Sequence, residues 1–119
     1  MEWLKAELRR LGNTCLWSWA GWRAAWASEK SLRQWSLANL ASAALAFSLD
    51  LTPGERAVIL GLGLMVLAME LMNTAIEEVV DYISDRRDPR AGKAKDCGSA
   101  AVALAAIAAG VACLVFLLG

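Results

Sequence analysis

Four polar side chains stand at helical spacing in the middle of the sequence. They are Glu70, Asn73, Glu77 and Asp81. Spacings of three and four residues place them on one face of a helix. The apolar run before them, 57–69, is too short to cross a bilayer alone. The helix must therefore continue through Glu70, which places polar groups at membrane depth, where they face a partner or a cleft.

The two glutamates of this face lie at different depths, which indicates different roles. A rise of about 1.5 Å per residue separates Glu70 from Glu77 by roughly 10 Å, so they cannot share one proton. Glu70 lies deeper, where burial disfavours the charged carboxylate, and could act as a general base. Glu77, near the water boundary, could hold a hard cation such as Mg²⁺. Polar contact between helices is the alternative for the whole face.

Further charged groups flank the apolar segments on the same side. Glu29 precedes the first segment and could add a second carboxylate to a metal site. Lys95 and Asp96 precede the third, while Arg10 and the 86–93 loop bring positive charge for an anionic substrate. Phosphoryl transfer to a lipid hydroxyl would need such groups, because it depends on positioning and charge neutralisation. The residues alone indicate a small membrane enzyme or an ion-coupled carrier.

Composition restricts the class of protein. The chain has 119 residues, of which 58% are hydrophobic with glycine left out, and a formal net charge of zero. Soluble domains contain about 45–50% apolar residues with glycine included, so we expect an integral membrane protein. Zero net charge argues against nucleic-acid binding. Three isolated cysteines and the lack of histidine exclude disulfide scaffolds, Cys/His zinc sites and histidine catalysis.

Three segments are predicted to span a bilayer, at about residues 31–50, 57–81 and 97–118. Eleven of the 12 basic residues lie before or at the start of the first span, or between the second and third. The positive-inside rule therefore places the N-terminus in the cytoplasm and the C-terminus in the periplasm. Small residues in the third span favour close helix packing and a homo-oligomer.

Residues 1–30 are predicted to form a separate amphipathic helix. Apolar side chains recur there at steps of three and four residues, which predicts one stripe on a helix. The tryptophan-rich stripe is typical of a helix in the headgroup layer, serving as an anchor or as a lid over a site. The segment 12–14 could divide this helix, with Asn13 capping the second part. The stripe consists of Leu4, Leu8, Leu11, Cys15, Trp19, Trp22 and Trp26.

Three blocks of sequence lie in order over nearly the whole chain: 19–26 (WAGWRAAW), 70–81 (ELMNTAIEEVVD) and 94–102 (AKDCGSAAV). The second resembles the signature E-x-x-N-[ST]-A-I-E-x-x-V-D of the prokaryotic diacylglycerol kinase family, and the other two are similar to its amino-terminal helix and its A-K-D block. The resemblance implies an all-α membrane protein of one domain, 1–119, with a surface helix and three transmembrane helices in a homotrimeric bundle. It also implies MgATP-dependent phosphorylation of diacylglycerol to phosphatidic acid at the bacterial inner membrane.

The resemblance further implies roles for single residues. Glu70 would take the proton from the lipid hydroxyl, and Asn73 would orient the reacting groups. Glu29 and Glu77 would ligate the Mg²⁺ bound to ATP. The implied ATP-binding residues are Arg10, Trp17, Glu29, Glu77, Lys95 and Asp96. The implied lipid-binding residues are Arg10, Trp19, Arg23, Trp26, Gln34, Trp35, Glu70 and Ser99.

Some positions depart from the family pattern, and other functions stay open. Trp17 and Trp35 stand where the best-known members have Tyr and Glu, and the stretch 86–88 differs from the family's loop. A branch of the family phosphorylates undecaprenol and usually carries Arg-Ile-His after its first glutamate. The segment 32–35 (LRQW) here favours diacylglycerol. An ion-coupled transporter or a membrane scaffold would bind no ATP.

Overall fold

The computed structural model describes residues 1–83 and 85–119. Within these residues it contains helices and no strand, so the predicted all-α architecture is confirmed. The helices are α1 (Glu2–Ser28), α2 (Lys30–Ser48), α3 (Pro53–Ile83) and α4 (Pro89–Leu118). 

Local hydrogen bonds explain where two of the helices begin. Before α3, Thr52 Oγ1 accepts from the backbone N–H of Glu55, and Glu55 Oε1 accepts from the backbone N–H of Thr52, both at 3.1 Å. This reciprocal pair is a capping box. At α4, the Asp88 carboxylate accepts from the backbone N–H of Arg90 at 2.8 Å. Hydrogen bonds from Arg90, chiefly from its side chain and secondly from its backbone N–H, hold the pKa of Asp88 below its usual value. The capping carboxylate is therefore charged at neutral pH.

Helix α3 is central, because it packs along both α2 and α4. Each close approach is made at a glycine that faces an asparagine. A Cβ at Gly63 of α3 would lie 2.7 Å from Asn39 Oδ1 of α2, and Asn39 Nδ2 donates to the Gly63 carbonyl at 2.5 Å. A Cβ at Gly98 of α4 would collide with Asn73 Oδ1 of α3. Each amide fits because the facing glycine has no side chain.

Two helices, α3 and α4, are long and apolar enough to cross a membrane. Helix α2 has 19 residues and is less apolar, so the first predicted span, 31–50, stays a prediction. Large apolar side chains of α4 are exposed, among them Leu104, Ile107 and Leu114. Within one chain they have no cover, and a lipid environment or further chains would supply it.

Helix α1 is continuous, so the predicted break at 12–14 is wrong. Thr14 Oγ1 donates to the backbone carbonyl of Arg10 at 2.9 Å, a bond inside the same helix. A glycine such as Gly12 costs only about 1 kcal/mol in a helix interior, which a helix of 27 residues tolerates. The location of α1 in the headgroup layer stays a prediction. Exposed members of its predicted stripe include Leu4, Leu8, Leu11, Cys15, Trp19 and Trp26.

Candidate active site

Glu70 is the only buried charged residue in the described part of the chain, with 4% of its surface exposed. Its Oε1 accepts a hydrogen bond from Ser31 Oγ of α2 at 2.5 Å. Thr74 Oγ1 donates to the backbone carbonyl of Glu70 at 3.0 Å and does not reach the carboxylate. None of the ion pairs between described residues includes Glu70. Because a buried carboxylate is costly without a partner, the Ser31 hydroxyl is its principal support.

Asn73 and Glu77 follow Glu70 on the polar face of α3, the face formed by Glu70, Asn73, Glu77 and Asp81, and both are half-buried. Asn73 Nδ2 donates to Glu77 Oε1 at 3.3 Å. Asn73 Oδ1 is buried against Gly98 and has no hydrogen-bond partner among the described residues. Buried polar atoms are nearly always paired, and the exceptions concentrate at functional sites. The amide therefore orients one carboxylate through its nitrogen, while its oxygen is packed against Gly98.

Asp81, the last residue of the polar face, pairs with Lys95 of α4. Lys95 Nζ lies 2.6 Å from Asp81 Oδ1. A pocket of about 490 Å³ adjoins this pair and includes Arg86 and Arg87 from the connection between α3 and α4. Asp96, the next residue of α4 after Lys95, is exposed. The lining of the same pocket carries as many acidic as basic side chains, the acidic ones being Asp81, Asp85 and Asp88. The basic side chains are groups that can contact the phosphates of a nucleotide.

An apolar groove of about 920 Å³ lies between α1, α2 and α3. Three residues predicted to bind lipid line it, namely Trp19, Arg23 and Trp26. Trp26 stacks on Trp22 with ring centroids 5.8 Å apart. Leu67 also lines the groove, and it precedes Glu70 by about one turn of α3. The groove therefore extends to the neighbourhood of the buried carboxylate.

Several predicted site residues line neither the groove nor the pocket within one chain. Arg10 pairs with Glu7 at 2.7 Å, and Trp17 is 68% exposed. Glu29 is half-buried and accepts from Ser28 Oγ at 3.3 Å. The other three do not line the groove: Gln34 and Ser99, which are exposed, and Trp35, which is half-buried. Their predicted roles stay predictions.

Sequence reasoning missed the serine that contacts Glu70 and two polar residues of the groove. These are Ser31, Ser36 and Asn39. The hydroxyl oxygen of Ser36 is buried without a partner among the described residues. A polar residue in a predicted span is the signal that could have found them. Their partners could not have been found, because the register of two helices depends on tertiary packing.

The fold and the site define a small all-helical protein with two potential membrane spans and a carboxylate buried beside an apolar groove. The family model described as prokaryotic diacylglycerol kinase matches residues 16–117. The chain belongs to this family, which confirms the resemblance of the three sequence blocks. It is therefore a membrane enzyme, a kinase, for which the family implies ATP as phosphoryl donor and Mg²⁺ as the usual metal.

Relatives of the chain carry two different names. It is 44% identical over 94 residues to the diacylglycerol kinase of Pseudomonas aeruginosa, covering 79% of this chain and 76% of that protein. It is 41% identical over 92 residues to the diacylglycerol kinase of Escherichia coli, covering 77% and 75%. It is 32% identical over 99 residues to the undecaprenol kinase of Bacillus subtilis, covering 81% and 78%.

Proposed function

We propose that this protein phosphorylates diacylglycerol to phosphatidic acid, with MgATP, at the cytoplasmic face of the bacterial inner membrane. The observation that carries the proposal is Glu70, a buried carboxylate about one turn from an apolar groove. A lipid whose acyl chains occupy the groove would present its hydroxyl to Glu70. Relatives named diacylglycerol kinase support this acceptor.

In the proposed reaction Glu70 is the general base. Its carboxylate takes the proton as the lipid oxygen forms a bond to the γ-phosphorus of ATP, and the bond to ADP breaks with its electrons leaving on ADP. Asn73 keeps Glu77 oriented through the hydrogen bond of 3.3 Å. Positioning of this kind is the main contribution of a protein to phosphoryl transfer.

The carboxylates of Glu29 and Glu77 fit Mg²⁺. This ion takes oxygen ligands and is usually bound by one or two carboxylates together with substrate phosphates. In the described residues no group of three or more acidic, cysteine or histidine side chains comes together. Oxygen atoms of the nucleotide would therefore complete the coordination shell of the ion. Glu29 and Glu77 would hold the ion, which when bound would neutralise phosphate charge.

The nucleotide is proposed to bind at the corner formed by Lys95 and Asp96. Support comes from the pocket of about 490 Å³ that contains Lys95, Arg86 and Arg87. Lys95, which now contacts Asp81 at 2.6 Å, would turn to a phosphate. Arg10 and Trp17 are proposed to complete the nucleotide contacts.

We also propose a homotrimer with active sites shared between chains. Its support is that four predicted site residues line neither the groove nor the pocket beside Lys95 in their own chain, namely Arg10, Trp17, Gln34 and Ser99. A neighbouring chain would bring such residues to the site. Cross-linking in detergent followed by mass measurement tests this, since a species of one chain with full activity would contradict it.

Undecaprenol is the second candidate acceptor. The relative from Bacillus subtilis is named an undecaprenol kinase, and an apolar groove also suits a prenyl chain. Transfer from labelled ATP to diacylglycerol and undecaprenol in parallel mixed micelles separates the two. We expect phosphatidic acid as the main product. Transfer mainly to undecaprenol would favour the second candidate, and no transfer to either by folded protein would overturn the proposal.

A further inference from the structure

We infer that Ser31 is a positioning residue that holds the Glu70 carboxylate with one oxygen engaged and the other directed to the lipid hydroxyl. This inference rests on the proposed function, in which Glu70 is the base. It adds a role for a residue that no motif of the sequence indicated.

The hydrogen bond joins two helices at the buried end of the polar face. Ser31 Oγ of α2 donates to Glu70 Oε1 of α3 at 2.5 Å. In the proposed role of base, Glu70 is a carboxylate that only accepts hydrogen bonds, and a serine hydroxyl has one hydrogen to donate, so Ser31 is the donor. Hydrogen bonds to a charged acceptor are shorter and stronger than neutral ones. Ser31 therefore holds one oxygen of the base firmly.

No other described side chain donates a hydrogen bond to the Glu70 carboxylate. The hydroxyl of Thr74, on the same helix, is engaged with the backbone carbonyl of Glu70. The ion pairs between described residues are formed by Lys5, Arg10, Arg90 and Lys95, each with a carboxylate other than Glu70. Glu70 Oε2 receives no hydrogen bond from the described residues, so it is the oxygen open to a substrate proton. Without Ser31, the carboxylate could turn and offer either oxygen in several directions.

The same bond joins the two helices that carry the proposed metal ligands. Glu29 is the N-cap residue of α2 and lies two residues before Ser31. Glu77 lies on α3, about two turns beyond Glu70. The Ser31–Glu70 bond thus maintains the position of the base relative to both carboxylates. A displacement of about 1 Å in such a site can lower the rate about a hundredfold.

Three variants of the full chain in mixed micelles test the inference. Ser31→Ala removes the donor, and Ser31→Cys keeps a side chain of similar size with a weak donor. Ser48→Ala is the matched control, because Ser48 is on the same helix and bonds only to the Leu45 carbonyl of that helix. The measurements are kcat, the KM values for ATP and diacylglycerol, and thermal unfolding in detergent.

We expect Ser31→Ala to lower kcat about tenfold to a hundredfold with both KM values nearly unchanged, because positioning acts on the reacting geometry and not on substrate binding. Ser31→Cys should fall close to Ser31→Ala, and Ser48→Ala should match the parent protein. If Ser31→Ala does not fold, the kcat of folded Ser31→Cys decides.

Three results would overturn the inference. Parent-like kcat in Ser31→Cys would show that Ser31 fills space, and parent-like kcat in Ser31→Ala would show that it has no part in turnover. A raised lipid KM with unchanged kcat would make Ser31 a substrate-binding residue. A parent protein that transfers phosphate to neither lipid would instead overturn the proposed function, and the role of Ser31 with it.

Discussion

Two contacts of α3 with its neighbouring helices use the same packing of an asparagine against a glycine for different purposes. At the contact with α2, Asn39 fits against Gly63 and donates to its carbonyl at 2.5 Å. About three turns further along α3, Asn73 fits against Gly98 of α4, but its Nδ2 donates to Glu77 and its Oδ1 has no partner among the described residues. One amide thus serves helix association alone, and the other also directs a carboxylate.

This difference shows that the hydrogen-bond partner of a polar residue in an apolar helix indicates whether the residue serves packing or the reaction. A side chain bonded to backbone stabilises packing, as interhelical hydrogen bonds do in membranes. A side chain that donates to a carboxylate, as Asn73 does to Glu77, can orient that carboxylate for a reaction. The variants below compare the part of α3 around Gly63 with the part around Glu70 and Asn73, in order of expected effect.

The largest effect is expected for Glu70→Gln. Loss of the base should lower kcat about 10²- to 10⁴-fold, the usual contribution of general base catalysis, while nucleotide binding stays nearly unchanged. Phosphate transfer and ATP-dependent protection against thermal unfolding measure the two effects. Glu55→Gln at the other end of α3 weakens the capping box and should affect stability alone. Equal losses of activity in the two variants would contradict the assignment of the base.

Glu77→Gln is expected to act on the metal. The Mg²⁺ concentration for half-maximal activity should rise about tenfold or more, because an amide is a weaker ligand for a hard cation than a carboxylate. Magnesium titrations of activity at saturating ATP measure this. A Glu77→Gln variant with lowered kcat and an unchanged magnesium requirement would place Glu77 outside the metal site. Glu78→Gln, at an exposed neighbouring position, is the control.

Gly98→Ala and Gly63→Ala test the comparison directly. Both add a Cβ against an asparagine amide, and overpacking of this kind costs typically about 1–3 kcal/mol. We expect both to unfold at lower temperature. Only Gly98→Ala should also lower kcat, about three- to tenfold, by displacing Asn73 from Glu77. An equal loss of kcat per folded molecule in both variants would show that the two contacts do the same work.

The smallest effect on turnover is expected for Trp26→Ala in the groove wall, because this change acts on lipid binding and not on kcat. Removing an aromatic side chain from an apolar pocket should raise the KM for diacylglycerol about three- to tenfold and leave the KM for ATP nearly unchanged. Trp3→Ala is the control, because Trp3 is 74% exposed and does not line the groove. If Trp26→Ala changed the KM for ATP instead, the groove would not be the lipid site.

Much of this protein could be predicted from its sequence, because the relevant information is local and periodic. The helical period placed Glu70, Asn73, Glu77 and Asp81 on one face, and the structure has them on one helix. Composition and hydropathy predicted an all-α membrane protein. The break predicted at 12–14 failed because helical hydrogen bonds continue through one unfavourable glycine at small cost.

Only the tertiary structure decided which groups face each other across helices. Ser31 lies against Glu70, and Asn39 against Gly63, because α2 and α3 pack in one antiparallel register. That register results from the fit of many side chains along both helices, and no period of a single segment encodes it. The sequence by itself therefore determined the helices, the polar face and the family. The packing decided which carboxylate is buried, which hydroxyl holds it and where the groove ends.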